Sequence, residues 1–306
     1  MLKADNQQTN KANKAMANRI LVVGVARNCA QHIREDILNL KQSLLAFNKI
    51  KWLIVESDSD DNTVDTLTTL KSEIPSFRFI SCGKLRDKYL LRTERIAFCR
   101  NIYLTEIQEN FLYQDVDLIM VADLDGVNSL ITTEAISSCF KRKDWDVCTA
   151  NQKTRYYDIW ALRHVSWCPN DCWKQRNFFK KYGLINDQAD FAAVYSKMIY
   201  IPKFSPWIEV ESSFGGLAIY KKHTLITAKY IGLRQDGSEI CEHVPLHRQL
   251  KTQGFKIFIN PDLINSEFDE NNHSFFSNKQ NIVKKYFSLA FQHIKAFYRT
   301  LKLKRQ

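Results

Sequence analysis

Three features of the 306-residue sequence predict an α/β fold, a doubly wound and mostly parallel sheet flanked by helices. Short β-branched apolar runs alternate with segments of helical period, as in strand–helix–strand units. The runs are apolar throughout rather than at every second position, as expected of strands covered on both faces. Several of them stop abruptly on polar or acidic residues.

Residues 1–18, MLKADNQQTNKANKAMAN, carry almost nothing to bury and are expected to form a disordered polar tail. Structure is expected to begin near Arg19. RILVVGVA (19–26) reads as a central parallel strand, and AQHIREDILNLKQSLLAF after it places Ile33, Ile37, Leu40, Leu44 and Leu45 at helical spacing. KWLIVESDSDDNT repeats the scheme as strand and acidic turn, followed by the helix VDTLTTLKSEI. FRFISC is the third strand, with a helix around RTERIAFCRNIYLTEIQENF, and DLIMVADLD is the fourth. After Gly126 the pattern loosens into aromatic, loop-rich segments such as QKTRYYDIWALRHVSWCPNDCW and VESSFGGLAIY. VPLHRQLKTQG reads as a short helix, with Pro245 suited to its first turn and Gly254 to its stop, and FKIFINP as a strand after it. No internal repeat is apparent.

With 45% hydrophobic and 12% aromatic residues the chain has ample material for a core. No apolar stretch reaches the roughly 20 residues of a membrane helix, and the first eighteen residues lack the centre of a secretory signal, so a cytoplasmic location is expected. Eight cysteines are scattered without CxxC pairs; the one close pair, Cys168 and Cys172, could bridge or bind metal, but buried free thiols are the expectation. The net charge of +11 is concentrated at the ends: Phe276 to Gln306 holds eight Lys or Arg and no acid. A body of nearly balanced charge argues against a nucleic-acid interface.

In open parallel sheets ligands bind beyond the carboxyl ends of the strands. Here VARN, VESDSDDNT and VADLDG would converge on one crevice. Asp123 and Asp125, one residue apart at a strand end, would present oxygens to a hard divalent cation such as Mn²⁺ or Mg²⁺, which in turn can hold phosphate.

These motifs resemble those of nucleotide-sugar glycosyltransferases of GT-A (Rossmann-like) fold, close to family 2, whose pattern is an opening strand with RN or YN, an acidic DDGSxDGT turn and DxD. In VESDSDDNT, Glu56 and Ser57 occupy the paired-acid slots, Ser59 and Asp61 are kept, and Asn62 and Thr63 stand in the Gly-Thr slots. More narrowly, ESDSDDNTVD, RTERIAFCRN, ADLDG, YYDIWALR and SSFGGLAIY resemble the fungal capsule-associated (alpha-1,3-) mannosyltransferase family and its bacterial relatives, over roughly residues 19–270.

The resemblance implies a nucleotide-binding half over 19–126 and an acceptor half over 127–275. Ala26 and Arg27 would line the nucleotide pocket, Glu56 would accept a hydrogen bond from the base, and Asp58 would lie close by. Asp123 would face the ribose or the metal, and Asp125 would be the metal ligand proper. Arg95 and Arg100, five apart and so not on one narrow helical stripe, would either contact donor phosphates or form salt bridges. In the position of the family 2 acceptor base, Glu242 fills one acidic slot and His243 stands where the aspartate is usual. Either is the base, or there is none and configuration is retained. Glu211, ahead of SSFGG, is a further carboxylate candidate, and Gly215 and Gly216 would let the backbone approach the sugar. Tyr157, Asp158, Trp160 and Arg163 would form the acceptor floor, or equally belong to the core. His243 and His247 are spaced to chelate a metal on a helix, although a capping or core role is the stronger expectation.

Residues 276–306 read as a basic amphipathic helix, with Val283, Phe287, Ala290, Ile294, Phe297 and Leu301 on one face. It would pack on the body or touch anionic lipid, the latter suiting a lipid-linked acceptor and a peripheral membrane position. The expected activity is metal-dependent transfer of a hexose, mannose being one candidate, from a nucleotide-diphosphate sugar to a glycan or lipid-linked acceptor in surface polysaccharide synthesis. The alternatives are a sugar-phosphate nucleotidyltransferase, which expects a Gly-rich phosphate loop where this chain has only Gly24, and a non-enzymatic basic adaptor for membrane or RNA.

Overall fold

The structure, a computed structural model, describes residues 19–267. The expected polar tail over 1–18 and basic helix over 276–306 lie outside the described residues.

The described residues build one eight-stranded sheet of order β3-β2-β1-β4-β7-β5-β8-β6. Its first half follows the predicted alternation: β1 (Arg19–Ala26), α1 (Ile33–Ser43), β2 (Lys49–Glu56), α2 (Thr63–Glu73), β3 (Phe77–Ser81), α3 (Arg92–Glu109) and β4 (Leu118–Ala122). β1 is central, parallel to β2 from Arg19↔Lys49 to Ala26↔Glu56 and to β4 from Ile20↔Leu118 to Val23↔Val121. Helices cover both faces, so Ile20, Leu21, Val22 and Val23 are all fully buried. That is why the run carries no alternation. α1 buries Ile33, Ile37 and Leu40 on one stripe, and α2 buries Leu67 and Leu70.

α1 also buries a carboxylate. Asp36 is 1% exposed because its two oxygens accept the backbone N–H groups of Gly126 (2.7 Å) and Asn128 (3.1 Å), which holds the loop after β4. Buried acids persist where their lone pairs are satisfied.

The second half departs from a parallel design. After α4 (Thr133–Ser138) come β5 (Val147–Gln152), α5 (Cys172–Lys181), α6 (Asn186–Ala193), the two-residue β6 (Ile208–Glu209), β7 (Leu217–Lys221), α7 (His243–Thr252) and β8 (Ile257–Ser266). β7 lies antiparallel between β4 and β5, paired Ile119↔Tyr220 and Cys148↔Ile219. β8, longer than the predicted FKIFINP, runs parallel to β5 with register shifts between Thr149 and Gln152. The sheet therefore continues across Gly126 without a break. Cys168 and Cys172 are buried free thiols. Among the described residues no helix is long and apolar enough to cross a membrane.

Candidate active site

A cleft of about 310 Å³ opens beyond the carboxyl ends of β1, β2 and β4. Of the residues singled out from the sequence, Ala26, Arg27, Asp58, Arg95, Arg100, Asp123, Asp125, Tyr157, Asp158, Trp160, Glu242 and His243 line it. They come from segments separated by more than two hundred residues, brought together because the strands that precede them are neighbours in the sheet.

The first two strand ends are knitted together. Asn28, in the left-handed region at φ 48°, accepts the Asp60 N–H at 2.7 Å and donates its own N–H to Ser59 Oγ at 3.1 Å, while Ala30 N–H reaches Asp61 Oδ2 at 3.1 Å. Glu56 sits beneath this turn, 2% exposed, accepting from Ser59 N–H at 3.0 Å and from Ser81 Oγ. It supports the acidic turn and is not among the residues lining the cleft, where it was expected against a base: one oxygen is taken by the turn at Ser59 and the other by Ser81 at the end of β3. Asp58, at φ 59°, faces the cleft. Burial alone would raise its pKa, but Arg86, which gives it a backbone N–H at 2.8 Å and a guanidinium contact, holds the carboxyl below the usual range. Its Oδ2 accepts no hydrogen bond, with Arg95 Nε 3.8 Å away.

At the end of β4, Arg100 is the hub. Its guanidinium, 3% exposed, gives Nε to Glu242 Oε1 at 2.9 Å, Nη2 to Asp123 Oδ1 at 3.2 Å and Nη1 to the Tyr103 hydroxyl at 3.1 Å. Phe214 and Tyr230 lie over it, 5.4 and 5.6 Å from ring centroid to Cζ. Arg95 and Arg100 thus reach one cleft despite their spacing, because both side chains are long and the cleft wraps the first turns of α3. Asp123 has its pKa pushed up to about 7, first by withdrawal from bulk water and then, against the pull of Arg100, by the carboxylates of Asp125, Glu242 and Asp158. Such an excess of negative charge is what a cation would relieve. Asp125 is exposed and makes no ion pair among the described residues. No group of three or more His, Cys, Asp or Glu among the described residues is arranged to hold a metal. Asp123 and Asp125 are the two carboxylates at the end of β4 that line the cleft, and ligand oxygens would have to complete any cation shell built on them.

His243 lies at the start of α7, stacked on Phe214 at 3.8 Å between ring centroids, with Nε2 3.6 Å from Glu242 Oε1. Both ring nitrogens are buried without a hydrogen bond. Burial, Arg100 and His247 hold its pKa well below the ordinary value, so it is neutral and a weak base. His247 is not free to chelate. Its two nitrogens are taken by Ser212 Oγ (3.0 Å) and the Tyr220 hydroxyl (2.8 Å).

On the acceptor side, Asp158 Oδ2 accepts the Gly215 N–H at 2.9 Å and its Oδ1 that of Ala161 at 3.3 Å, and burial raises its pKa. Gly215 and Gly216, at φ 72° and 82°, do not line the cleft. A Cβ on Gly215 would meet Ala150 O at 2.9 Å and one on Gly216 the Tyr157 hydroxyl at 2.8 Å. Gly215 thus packs closely on β5 and Gly216 on Tyr157 of the cleft wall, and Gly216 O receives the Asp123 N–H at 2.9 Å.

Two expected residues lie elsewhere. Arg163 pairs with Asp171 (3.0 Å), which also accepts from Trp160 Nε1 (3.2 Å) and pairs with Arg234 (2.7 Å). It braces Trp160 from behind and opens onto a separate depression. Glu211 lines that same depression, its side chain 63% exposed and 3.8 Å from Lys251. The short bridge Arg163↔Ser212 turns both residues away from the cleft.

Residues that motif reading missed include Arg92, Cys99 and Phe214, all in the cleft wall, and Tyr230, whose hydroxyl bonds that of Tyr103 at 3.0 Å. Arg92 lies on the helix already singled out, so the RTERIAFCR cluster was a usable signal. Nothing in the sequence marks Tyr230.

No family model matches the sequence, and no curated protein does. Among solved structures, the chain is similar to the mannosyltransferase PcManGT from Pyrobaculum calidifontis in complex with GDP-Man and Mn2+, at 12% identity and TM-score 0.44, covering 87% of this chain and 65% of that one. It is similar to S. aureus TarS 1-349 in complex with UDP-GlcNAc, at 11% identity and TM-score 0.46, covering 85% and 60%. It is also similar to glucosyl-3-phosphoglycerate synthase from Mycobacterium tuberculosis in complex with UDP, at 11% identity and TM-score 0.40, covering 84% and 73%. The chain spans less than two thirds of the length of the first two.

Proposed function

We propose that the chain is a glycosyltransferase of GT-A type that moves a hexose from a nucleotide-diphosphate sugar to a glycan or lipid-linked acceptor. The observation that carries this reading is the meeting of Asp58, Asp123, Asp125, Asp158 and Glu242 with four arginines in one cleft at the carboxyl ends of parallel strands. Mannose as the sugar rests on the sequence motifs alone. Surface polysaccharide synthesis as the setting likewise extends the motif resemblance, and lipid contact through residues 276–306 concerns a segment outside the described residues.

Asp123 and Asp125 fit a hard divalent cation: both are oxygen donors, and Asp123 sits where negative charge is in excess. Bound there, Mn²⁺ or Mg²⁺ would supply Lewis-acid stabilisation of the departing diphosphate. The protein's own side chains do the rest. Arg27, Arg92 and Arg95 line the cleft and would orient phosphate oxygens. Asp58 Oδ2 and the His243 nitrogens carry hydrogen-bonding capacity that no protein group uses, and so would fix donor hydroxyls or base edges. Arg100 holds Asp123 and Glu242 at set positions and spares both from mutual repulsion.

The acceptor proton goes to Asp158 on this reading. Asp58, Asp123 and Glu242 are each engaged by arginine, while Asp158 is held only by backbone N–H groups and has a raised pKa. A base poised on the acceptor wall implies displacement with inversion.

The test is to incubate the purified chain with a panel of nucleotide sugars and Mn²⁺, following release of nucleoside diphosphate. Turnover of at least one donor, lost in chelator, is expected. Inertness and lack of binding toward all of them would refute the proposal, and formation of nucleotide sugar from nucleoside triphosphate and sugar phosphate would favour a nucleotidyltransferase instead.

A further inference from the structure

We propose that the tip of the α5–α6 hairpin is a docking surface for a bilayer containing anionic phospholipid. The tip is FFKKYGLI, residues 178–185. Within these eight residues Phe178, Tyr182 and Ile185 are 58%, 66% and 64% exposed, and Lys180 and Lys181 are exposed beside them. The Phe178 and Tyr182 rings pack at 4.7 Å between centroids, and Lys181 Nζ lies 5.8 Å from the Tyr182 ring. A single exposed apolar side chain needs no explanation, but three at one hairpin tip form a patch that water penalises. The turn projects into open space, for a Cβ built on Gly183 (φ 103°) would find no atom within 4 Å.

The base of the hairpin is fixed while its tip is not covered. Asp171 caps α5 by accepting the N–H groups of Trp173 and Lys174, both at 3.0 Å, and is itself clamped by Arg163 and Arg234. Trp173 meets Trp160, a cleft residue, edge-to-face at 6.5 Å. Arg176 pairs with Asp190 across the hairpin, and Lys174 with Asp236 at 3.6 Å. Lys180 and Lys181 form no ion pair among the described residues, and the nearest carboxylate in sequence, Asp187, lies beyond the turn.

Charge selects the occupant. A two-fold contact between copies through this tip would gather Lys180 and Lys181 of both subunits into one interface. The chain's own end, residues 276–306, has eight Lys or Arg and no acid, and bears the same sign. An anionic bilayer satisfies both chemistries at once: aromatic rings enter the headgroup boundary while lysine ammonium groups meet lipid phosphates.

The experiment uses the full chain with vesicles of phosphatidylcholine alone or with phosphatidylglycerol added. Sedimentation with the mixed vesicles is expected. Lys180→Glu/Lys181→Glu and Phe178→Ser/Tyr182→Ser should each weaken partitioning by about tenfold or more while thermal melting and donor turnover stay unchanged. Tyr182→Trp should be quenched by bromine-labelled lipid in the mixed vesicles only. Variants that partition like the parent chain, or an unquenched Tyr182→Trp, would overturn the proposal and assign any binding to another part of the chain. Concentration-dependent dimers abolished by the same variants would give the surface to a second copy, and overturn it too.

Discussion

Arg100 and Glu242, 142 residues apart, are joined by a 2.9 Å bond between Nε and Oε1 in a site where both side chains are all but buried. The same guanidinium holds Asp123, so one cation fixes the start of α7 to the end of β4. A buried charge pair adds little net stability over an apolar substitute, but breaking one is costly because it strands the partner.

Arg100→Met is accordingly expected to lower unfolding stability by roughly 3–5 kcal/mol, measured as a shift of the urea midpoint. Adding Glu242→Gln should recover part of that loss, since the second substitution removes the stranded charge. A single variant with an unchanged midpoint would contradict the hub role.

Asp125→Asn should separate chemistry from folding. The side chain is exposed and unpaired among the described residues, so stability should stay within about 0.5 kcal/mol. Turnover should fall on the order of a thousandfold, and Mn²⁺ affinity with it, since several kcal/mol of transition-state stabilisation would be lost. Undiminished Mn²⁺ binding by calorimetry would remove Asp125 from the metal foothold.

Asp158→Asn is expected to lower kcat by roughly 10²–10⁴ with the donor KM little changed. Burial raises the carboxyl's pKa above the ordinary value of 3.8, and a base works only when deprotonated. Rates in the parent chain should therefore rise with pH along an acid limb, and that limb should vanish in the variant. An intact limb would assign the proton to another group.

Stability should fall on acidification, and His247 is one reason. Burial lowers its pKa from 6.5 to about 3, so between those values the unfolded chain binds a proton that the folded chain refuses. Its contribution is fully present above pH 6.5 and is lost as pH falls toward 3, roughly 2 kcal/mol by pH 5. His243 acts in the same direction. Denaturant midpoints at pH 7 and pH 5 should differ less in His247→Gln; an equal slope would place the proton uptake elsewhere.

The first half of the fold is legible because its signal is local. Runs such as RILVVGVA and LIMVA are covered by helices on both faces, so short unbroken apolar runs between segments of 3.6-residue period separate strand from helix without knowledge of neighbours. The antiparallel insertion of β7 between β4 and β5 was not legible, since strand order depends on long-range pairing. α5 and α6 were also missed: α5 buries only Cys172 and leaves Trp173 and Phe178 exposed, so it lacks the apolar stripe that marks a helix.

Within the site the sequence alone determined which residue types end the strands, and hence that acids and arginines crowd the sheet's carboxyl edge. Chain connectivity requires this, because a residue just past a buried strand has nowhere else to go. Only the tertiary structure decided how those groups are spent. It turned Glu56 inward beneath its own turn, sent Arg163 and Glu211 to a neighbouring depression, and left Asp125 and Asp158 without an arginine. Hydrogen bonds and ion pairs depend on separations of a few ångströms between residues a hundred or more positions apart, and no local pattern encodes that distance.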